Sequence, residues 1–327
     1  MLLSANKKED PINQTSVIET NVTGFSTDLT KVIEQSKSSV VVVETNNFVS
    51  SGIVYKYIEG KAYIVSSYHG ISDDSEIKVT FASGAVYDAK LLGKDIFADL
   101  AVLEIDSNVD IIPIKLGDSN IINNGEFMVC IGTPKSTQYA NSSGLAFVSS
   151  KLRSLNNSII YNEEPFEYVT NLIQLDANLS QGYSGAPVIN MAGETIGIVT
   201  MKDDVAYFAM PINEIKYIAD NIIDNNDYLK IQFGFRGQFV KDLEVYEKNQ
   251  LNIPLDVIDG YSIKEVKANS LASKIGLKEQ DIILSINEIQ IKTYDDLLEA
   301  EYKEITDLSF DIIRNNELLT LTGTIND

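Results

Sequence analysis

The first two thirds of the chain alternate short apolar segments with polar turns. Val, Ile, Tyr and Thr, which favour strands, are separated by Gly, Asn, Asp and Ser, which favour turns. Many short strands at this spacing predict a β-barrel or a sandwich. The clearest predicted strands are Val40–Glu44, Gly52–Lys56, Ala62–Ser66, Ile77–Phe81 and Leu100–Glu104.

A helix is predicted directly after Pro211, because apolar residues then recur at helical spacing. The residues on this apolar face are Ile212, Ile215, Ile218 and Ala219. The pattern ends in the polar run Asp224–Asp227, which predicts a domain boundary. A length of 327 residues also fits about two domains.

Beyond this boundary, strands are mixed with two helical stretches, Ser270–Ile275 and Tyr294–Glu304, and Thr293 with Asp296 predicts a cap for the second. The N-terminal residues are polar and lack apolar periodicity, which indicates a flexible tether. We therefore expect a tether over residues 1–28, one domain over 29–222 and another over 223–327.

Composition excludes several classes of function. The 47 acidic and 26 basic residues give a net charge of −21, which opposes binding to nucleic acid. The single cysteine, Cys130, lies in an apolar segment, and we interpret it as a buried, inert thiol. No cofactor or metal is expected, and no apolar stretch approaches the ~20 residues that a membrane span needs.

The segment Gly182–Pro187 could carry a nucleophile, because glycines on both sides of Ser184 permit a tight turn that exposes its hydroxyl. Such a turn also aims backbone N–H groups at a developing oxyanion. An ordinary Gly-Ser turn between strands is the alternative interpretation.

A serine nucleophile needs a base, and the chain has one histidine, His69, at the end of a predicted strand. Asp99 follows 30 residues later between apolar residues, which indicates a partly buried carboxylate that could orient the base. A lone histidine is often only a surface or core residue. The order His69, Asp99, Ser184 and their local contexts favour catalysis.

Ordered segments along the chain resemble the HtrA/DegP-like serine proteases, over about residues 30–325. The segments are Ser50–Val54, Ile64–His69, Ala98–Leu103, Ile131–Pro134 with Phe147–Arg153, Leu175–Val188, Gly193–Ile198 and Phe208–Ile212. The resemblance implies a mainly β fold, with two six-stranded chymotrypsin-like barrels and the active site in the cleft between them.

The same resemblance implies roles for individual residues. His69 would be general base and then acid, Asp99 its orienting partner and Ser184 the nucleophile. Backbone N–H groups of Gly182 and Ser184, together with Tyr183, would form the oxyanion hole.

Ile198, Val199 and Thr200 would pair with the substrate backbone and line the primary specificity pocket, for which small or medium aliphatic side chains are expected. Tyr183 replaces the usual Asn, Ala186 replaces a Gly, and the connection Met201–Tyr207 is short for the family.

Residues 228–325 resemble the PDZ domain of this family, most clearly over Ile263–Asn287, where Gln280 stands in place of a usual Gly. Such an α+β domain binds a peptide C-terminus as an added strand. The candidate residues are Phe233, Gly234, Phe235, Leu297 and Leu298. Packing of Phe233 and Phe235 in the domain core is the alternative.

The resemblance thus implies an ATP-independent serine endopeptidase that cleaves unfolded or specific proteins outside the cytoplasm, in protein quality control and stress response. It further implies a homotrimer at the cell surface, anchored through a segment upstream of residue 1. The alternative is a weakly active or inactive protease fold that works as a chaperone or binding protein.

Overall fold

The structure is a computed structural model that describes residues 22–71, 76–107, 111–161, 164–202, 206–225, 230–303 and 306–325. These residues form two closed six-stranded β-barrels followed by a smaller domain built on a six-stranded sheet. The predicted fold class is confirmed. No helix in these ranges has both the length and the apolar character that crossing a membrane requires.

The first barrel closes in the strand order β1-β2-β3-β6-β5-β4. Its strands are β1 Val40–Glu44, β2 Val49–Ile58, β3 Lys61–Ser67, β4 Ile77–Phe81, β5 Val86–Asp95 and β6 Leu100–Asp106. Successive side chains of β1 point to opposite faces. Val41 and Val43 fill the barrel interior, whereas Val40 packs in the layer shared with the second barrel. The run of valines is therefore buried on both faces.

The second barrel closes in the order β10-β11-β12-β9-β8-β7. Its strands are β7 Phe127–Gly132, β8 Ser142–Tyr161, β9 Glu164–Ala177, β10 Pro187–Asn190, β11 Thr195–Lys202 and β12 Tyr207–Pro211. Strands β8 and β9 form a long hairpin, which the sequence analysis did not predict. Its residues 157–160 line the cleft between the barrels.

Two helices flank the barrels, α1 Val22–Ser36 and α2 Ile212–Asn225. Helix α2 confirms the prediction, and its apolar face is buried in the layer shared by the barrels. Helix α1 overlaps residues 22–28, the last part of the predicted tether, and its Val32, beyond the tether, packs into the same layer. Residues 1–21 of the predicted tether lie outside the described residues.

The C-terminal sheet has the order β13-β14-β15-β17-β18, and β16 pairs with β15. Its elements are β13 Phe235–Phe239, α3 Val245–Gln250, β14 Tyr261–Val266, α4 Leu271–Ile275, β15 Ile282–Ile286, β16 Ile289–Gln290, α5 Tyr294–Tyr302, β17 Asp307–Arg314 and β18 Glu317–Thr324. Gly276 ends α4 at φ 94°, and Thr293 and Asp296 form the predicted capping box of α5. Gln280 adopts the φ of 70° that glycine adopts more readily.

A buried charge cluster joins the two domains. Lys230, 6% exposed, pairs with Glu214 of α2 and lies 3.3 Å from Glu301 of α5. The hydroxyls of Tyr294 and Tyr302 donate to Glu214 at 2.5 and 3.1 Å. Burial raises the pKa of Glu301 to about 7. Separation of these partners would leave buried charges unpaired, so the cluster favours one arrangement of the domains.

Candidate active site

Strand pairing brings His69 and Asp99 together. Ser67, at the end of β3, lies opposite Leu100, at the start of β6, so the residues just outside this pair are neighbours. His69 Nδ1 is 2.7 Å from Asp99 Oδ2, and the backbone N–H of His69 donates to Asp99 Oδ1 at 2.7 Å. Thr200 Oγ1 also donates to Asp99 Oδ2, at 3.0 Å. The carboxylate is thus held at both oxygens.

The carboxylate also changes the basicity of the imidazole. The hydrogen bond to Asp99 and, less strongly, the negative charge of Asp99 raise the pKa of His69, against the opposing effect of burial. Because Nδ1 faces an acceptor, the neutral ring carries its proton on Nδ1 and leaves Nε2 free to accept one. This is the tautomer that a general base of this type needs.

Ser184 lies in the turn between β9 and β10 and lines the same cleft as His69, Asp99 and Thr200. The cleft has a volume of about 790 Å³ and receives residues from both barrels. The structure therefore brings the three predicted catalytic side chains to one site.

The peptide planes of the Ser184 turn are held in alternating directions. The carbonyl of Gln181 accepts from Lys135 N–H, and the carbonyl of Tyr183 accepts from Ala186 N–H, both at 2.8 Å. A trans peptide places the next N–H opposite its carbonyl. The N–H groups of Gly182 and Ser184 consequently point away from these bonds, and within the described ranges neither donates to a protein acceptor.

The predicted third donor of the oxyanion hole is engaged elsewhere. The backbone N–H of Tyr183 donates to the carbonyl of Ser180 at 3.3 Å, because its peptide plane is turned opposite to those on either side. The two open N–H groups are those of Gly182 and Ser184, beside the candidate nucleophile.

The side chain of Tyr183 anchors the turn in the core of the second barrel. The residue is 6% exposed, and its hydroxyl donates to the carbonyl of Ser142 at 3.2 Å. Its ring occupies space that glycine leaves on β7, since a Cβ on Gly132 would lie 2.7 Å from Tyr183 Cδ1. The Tyr183 side chain is thus matched to the absence of one at Gly132.

We expect Gly132→Ala to lower both kcat, by about 10-fold, and stability, by about 1–3 kcal/mol, because the new methyl lies 2.7 Å from the Tyr183 ring and 2.9 Å from Ser51 Oγ. Gly144→Ala is the matched control, since its methyl meets the end of the Leu179 side chain at 2.8 Å and stays 3.8 Å from the Tyr183 hydroxyl. Peptide hydrolysis and thermal unfolding measure both. In a double-mutant cycle, Tyr183→Asn should recover part of the loss in Gly132→Ala. Strictly additive effects would contradict the match.

Two segments of the chain match known protein families. Residues 50–198 match the trypsin-like peptidase domain, and residues 262–300 match the PDZ domain. A serine protease Do-like HtrA of Bacillus subtilis is 31% identical across 97% of this chain and 72% of its own length. The chain belongs to the HtrA family of serine proteases. Its relatives are serine proteases and it carries their peptidase domain, so the predicted class of enzyme, a serine endopeptidase, is confirmed.

Further similar proteins support the same assignment. A serine protease Do-like HtrB of Bacillus subtilis is 29% identical over 98% of this chain and 75% of its own length. A serine protease HtrA-like of Staphylococcus epidermidis is 31% identical over 87% of this chain, which spans 53% of that relative.

Two solved structures share the fold. The HtrA-type protease AlgW with decapeptide has a TM-score of 0.57 at 20% identity, with 90% of this chain and 97% of that chain covered. The serine endoprotease from Yersinia pestis has a TM-score of 0.56 at 22% identity, with 90% and 96% covered.

The predicted substrate-binding strand of this HtrA-family protease needs a correction. Ile198 is buried in the layer shared by the barrels, and Val199 exchanges backbone hydrogen bonds with Gly185 and Ala186. Neither residue lines the cleft, and their backbones are paired within the barrel, Ile198 with Met210 of β12 and Val199 with Gly185 and Ala186. Thr200 does line it, at the register shift between β11 and β12.

The walls of the cleft are largely apolar. Phe97 contacts the rings of Phe166 and Tyr168 at centroid distances of 5.5 and 5.2 Å, which joins the β8–β9 hairpin to the loop before Asp99. Leu172 and Met210 line the cleft deeper in. Asp99 is the one acidic side chain among its described lining residues, and it is engaged by His69. The lining fits apolar substrate side chains.

The five candidate peptide-binding residues of the PDZ domain lie close together. Phe233, Phe235, Leu297 and Leu298 are buried in one apolar cluster, with the two phenyl rings stacked at 5.6 Å. Gly234 between them has a φ of 80°. These side chains therefore fit the alternative interpretation, in which they pack in the core of the domain. Phe235 begins the edge strand β13, and peptide binding there stays a prediction.

Cys130 is buried in the second barrel, and burial raises the pKa of its thiol to about 12. A thiol held protonated in this way is a poor nucleophile, and the structure confirms the burial that the sequence predicted for Cys130.

Proposed function

We propose that this HtrA-family protease hydrolyses peptide bonds with Ser184 as nucleophile, His69 as base and Asp99 as the group that orients His69. The observation that carries the proposal is the Nδ1–Oδ2 contact of 2.7 Å in the cleft that Ser184 also lines. The open N–H groups of Gly182 and Ser184 support an active enzyme over the alternative of a chaperone-like binding protein.

The geometry suggests the order of events. Ser184 Oγ attacks the scissile carbonyl carbon while its proton passes to His69 Nε2. The carbonyl oxygen becomes negative and accepts from the N–H groups of Gly182 and Ser184. His69 then gives its proton to the departing amine, and water repeats the sequence on the acyl-enzyme. Asp99 stabilises the imidazolium at each stage.

The experiment is a reaction with a fluorophosphonate probe, followed by peptide mapping of the labelled residue. Ser184 attacks phosphorus, fluoride leaves, and a stable phosphonyl ester forms on Ser184. We expect one label at Ser184, together with cleavage of casein that the probe and Ser184→Ala each abolish. Undiminished cleavage by Ser184→Ala would refute the proposal, and inertness of the wild type to probe and casein would favour the binding-protein alternative.

We further propose that the substrates are unfolded or specific proteins outside the cytoplasm, as part of quality control under stress, and that β13 and α5 of the PDZ domain take up peptide C-termini. A homotrimer held at the membrane by a preceding segment is part of the same proposal. The match to the PDZ family and the apolar walls of the cleft support the first part. Sedimentation of the purified chain tests the oligomeric state.

A further inference from the structure

Ser51 of β2 connects the first barrel to the Ser184 turn of the second. The residue is 0% exposed, and every polar group of it has a partner. Its hydroxyl accepts from Thr133 N–H at 2.9 Å, and its carbonyl accepts from Ser66 Oγ at 2.7 Å. Because Oγ already accepts from an N–H, its own proton is directed to the carbonyl of Gly182, at 2.8 Å.

The backbone of Ser51 makes a second contact with the same turn. Its N–H donates to the carbonyl of Ser184 at 2.8 Å. Ser51 therefore holds the carbonyls of Gly182 and Ser184, the two residues whose N–H groups are open. The Ser51 hydroxyl holds the peptide plane between Gly182 and Tyr183, which lies between the two planes that carry the open N–H groups. The Ser51 N–H holds the plane that follows them, between Ser184 and Gly185.

At this junction the backbones of β2 and of the Ser184 turn lie too close together for another side chain to shift in and replace the Ser51 contact. A Cβ on Gly185 would lie 1.9 Å from the carbonyl oxygen of Ser51, and one on Gly182 would lie 2.2 Å from that of Thr133. Glycine at both positions lets the turn rest directly on β2 and on the residue after β7. The hydroxyl of Ser51 thus fills the remaining gap between Gly182 and Thr133.

We infer that Ser51 is a positioning residue for the oxyanion hole, which its hydroxyl holds open before substrate arrives. The inference rests on the proposed function of Ser184. In sequence terms, Ser50–Val54 predicted only a strand, and nothing in it assigned a role to the second serine. An N–H pair that is already aligned loses no free energy to reorganisation in the transition state.

The neighbouring Ser50 provides a matched control. It is also a buried serine of β2, and its hydroxyl contacts Val43 O at 3.3 Å and Ser66 Oγ at 3.4 Å, without reaching the Ser184 turn. We expect Ser51→Ala to lower kcat by about 10- to 100-fold with little change in KM. Ser50→Ala should keep kcat within about 3-fold of the wild type.

A peptide boronic acid provides a readout that a purely structural role would not change. Ser184 Oγ forms a bond to boron, its proton passes to His69, and one oxygen of the tetrahedral adduct occupies the N–H pair. Affinity for this transition-state analogue should fall in Ser51→Ala by the same factor as kcat, whereas KM for the matching peptide substrate should not change.

Thermal unfolding is the control for folding, and assays are run below the unfolding midpoint of each variant. A second control is Ser51→Cys, whose thiol is a weaker hydrogen-bond donor and should give an intermediate kcat. Ser51→Ala and Ser50→Ala could show equal kcat and equal affinity for the boronic acid while Ser184→Ala is inactive. That result would overturn the inference about Ser51 and leave the proposed function standing. Retained hydrolysis in Ser184→Ala would overturn the proposed function instead. A loss in Ser51→Ala confined to KM would also contradict a role in the transition state.

Discussion

Replacing His69 by Ala should lower kcat by about 10⁶-fold, which leaves only the activity that substrate binding and the oxyanion hole supply. His69 is the only histidine of the chain, so no second imidazole can take over the base. Without it the Ser184 hydroxyl keeps its proton and stays a weak nucleophile. Hydrolysis of a fluorogenic peptide, with circular dichroism and thermal unfolding as controls of folding, measures the effect.

The single histidine also permits a chemical version of this experiment. Acylation of one imidazole per chain by diethyl pyrocarbonate should remove the activity of the wild type, and hydroxylamine should restore it. The residual rate of His69→Ala should not respond to the reagent. A variant that folds and turns over at near the wild-type rate would contradict the mechanism, as would a wild type that stays active after the imidazole has been modified.

The parts of the site that could be predicted from sequence are those encoded in local segments. The strands, the helix after Pro211 and the cap of α5 follow from apolar periodicity and from residues with special backbone preferences. His69 and Asp99 were identifiable because each directly flanks a strong strand, and the pairing of β3 with β6 then determines their contact.

The parts that could not be predicted depend on contacts between distant segments. The Ser51 hydroxyl meets Gly182 across 131 positions, and Thr200 meets Asp99 across 101. No local pattern marks either contact, since a serine or threonine in a strand is ordinary. The packing of Tyr183 could not be predicted because its counterpart, the missing side chain of Gly132, lies on another strand.

The prediction for Asp99→Asn follows from the two groups of His69 that face the carboxylate. The backbone N–H of His69 points to Oδ1, so the amide oxygen of an asparagine would take that position and its NH₂ would face Nδ1. The imidazole would then accept at Nδ1 and carry its proton on Nε2, which is the wrong tautomer for a base. We expect kcat to fall by about 10⁴-fold. Asp99 has a φ of 52°, which asparagine tolerates as well as aspartate, so the fold should be kept.

The pH dependence separates this effect from a general disturbance of the loop. The bond to Asp99 raises the pKa of His69, and the base works only when neutral, so wild-type kcat/KM should rise with pH through that raised pKa. Loss of the negative charge lowers this pKa and should move the acid limb to lower pH.

Asp95→Asn is the matched control, because Asp95 accepts from the N–H groups of Phe97 and Ala98 in the same loop. It should leave the acid limb in place, with kcat within about 10-fold of the wild type. An unchanged acid limb in Asp99→Asn, or equal losses in both variants, would mean that Asp99 supports only the loop and does not orient His69.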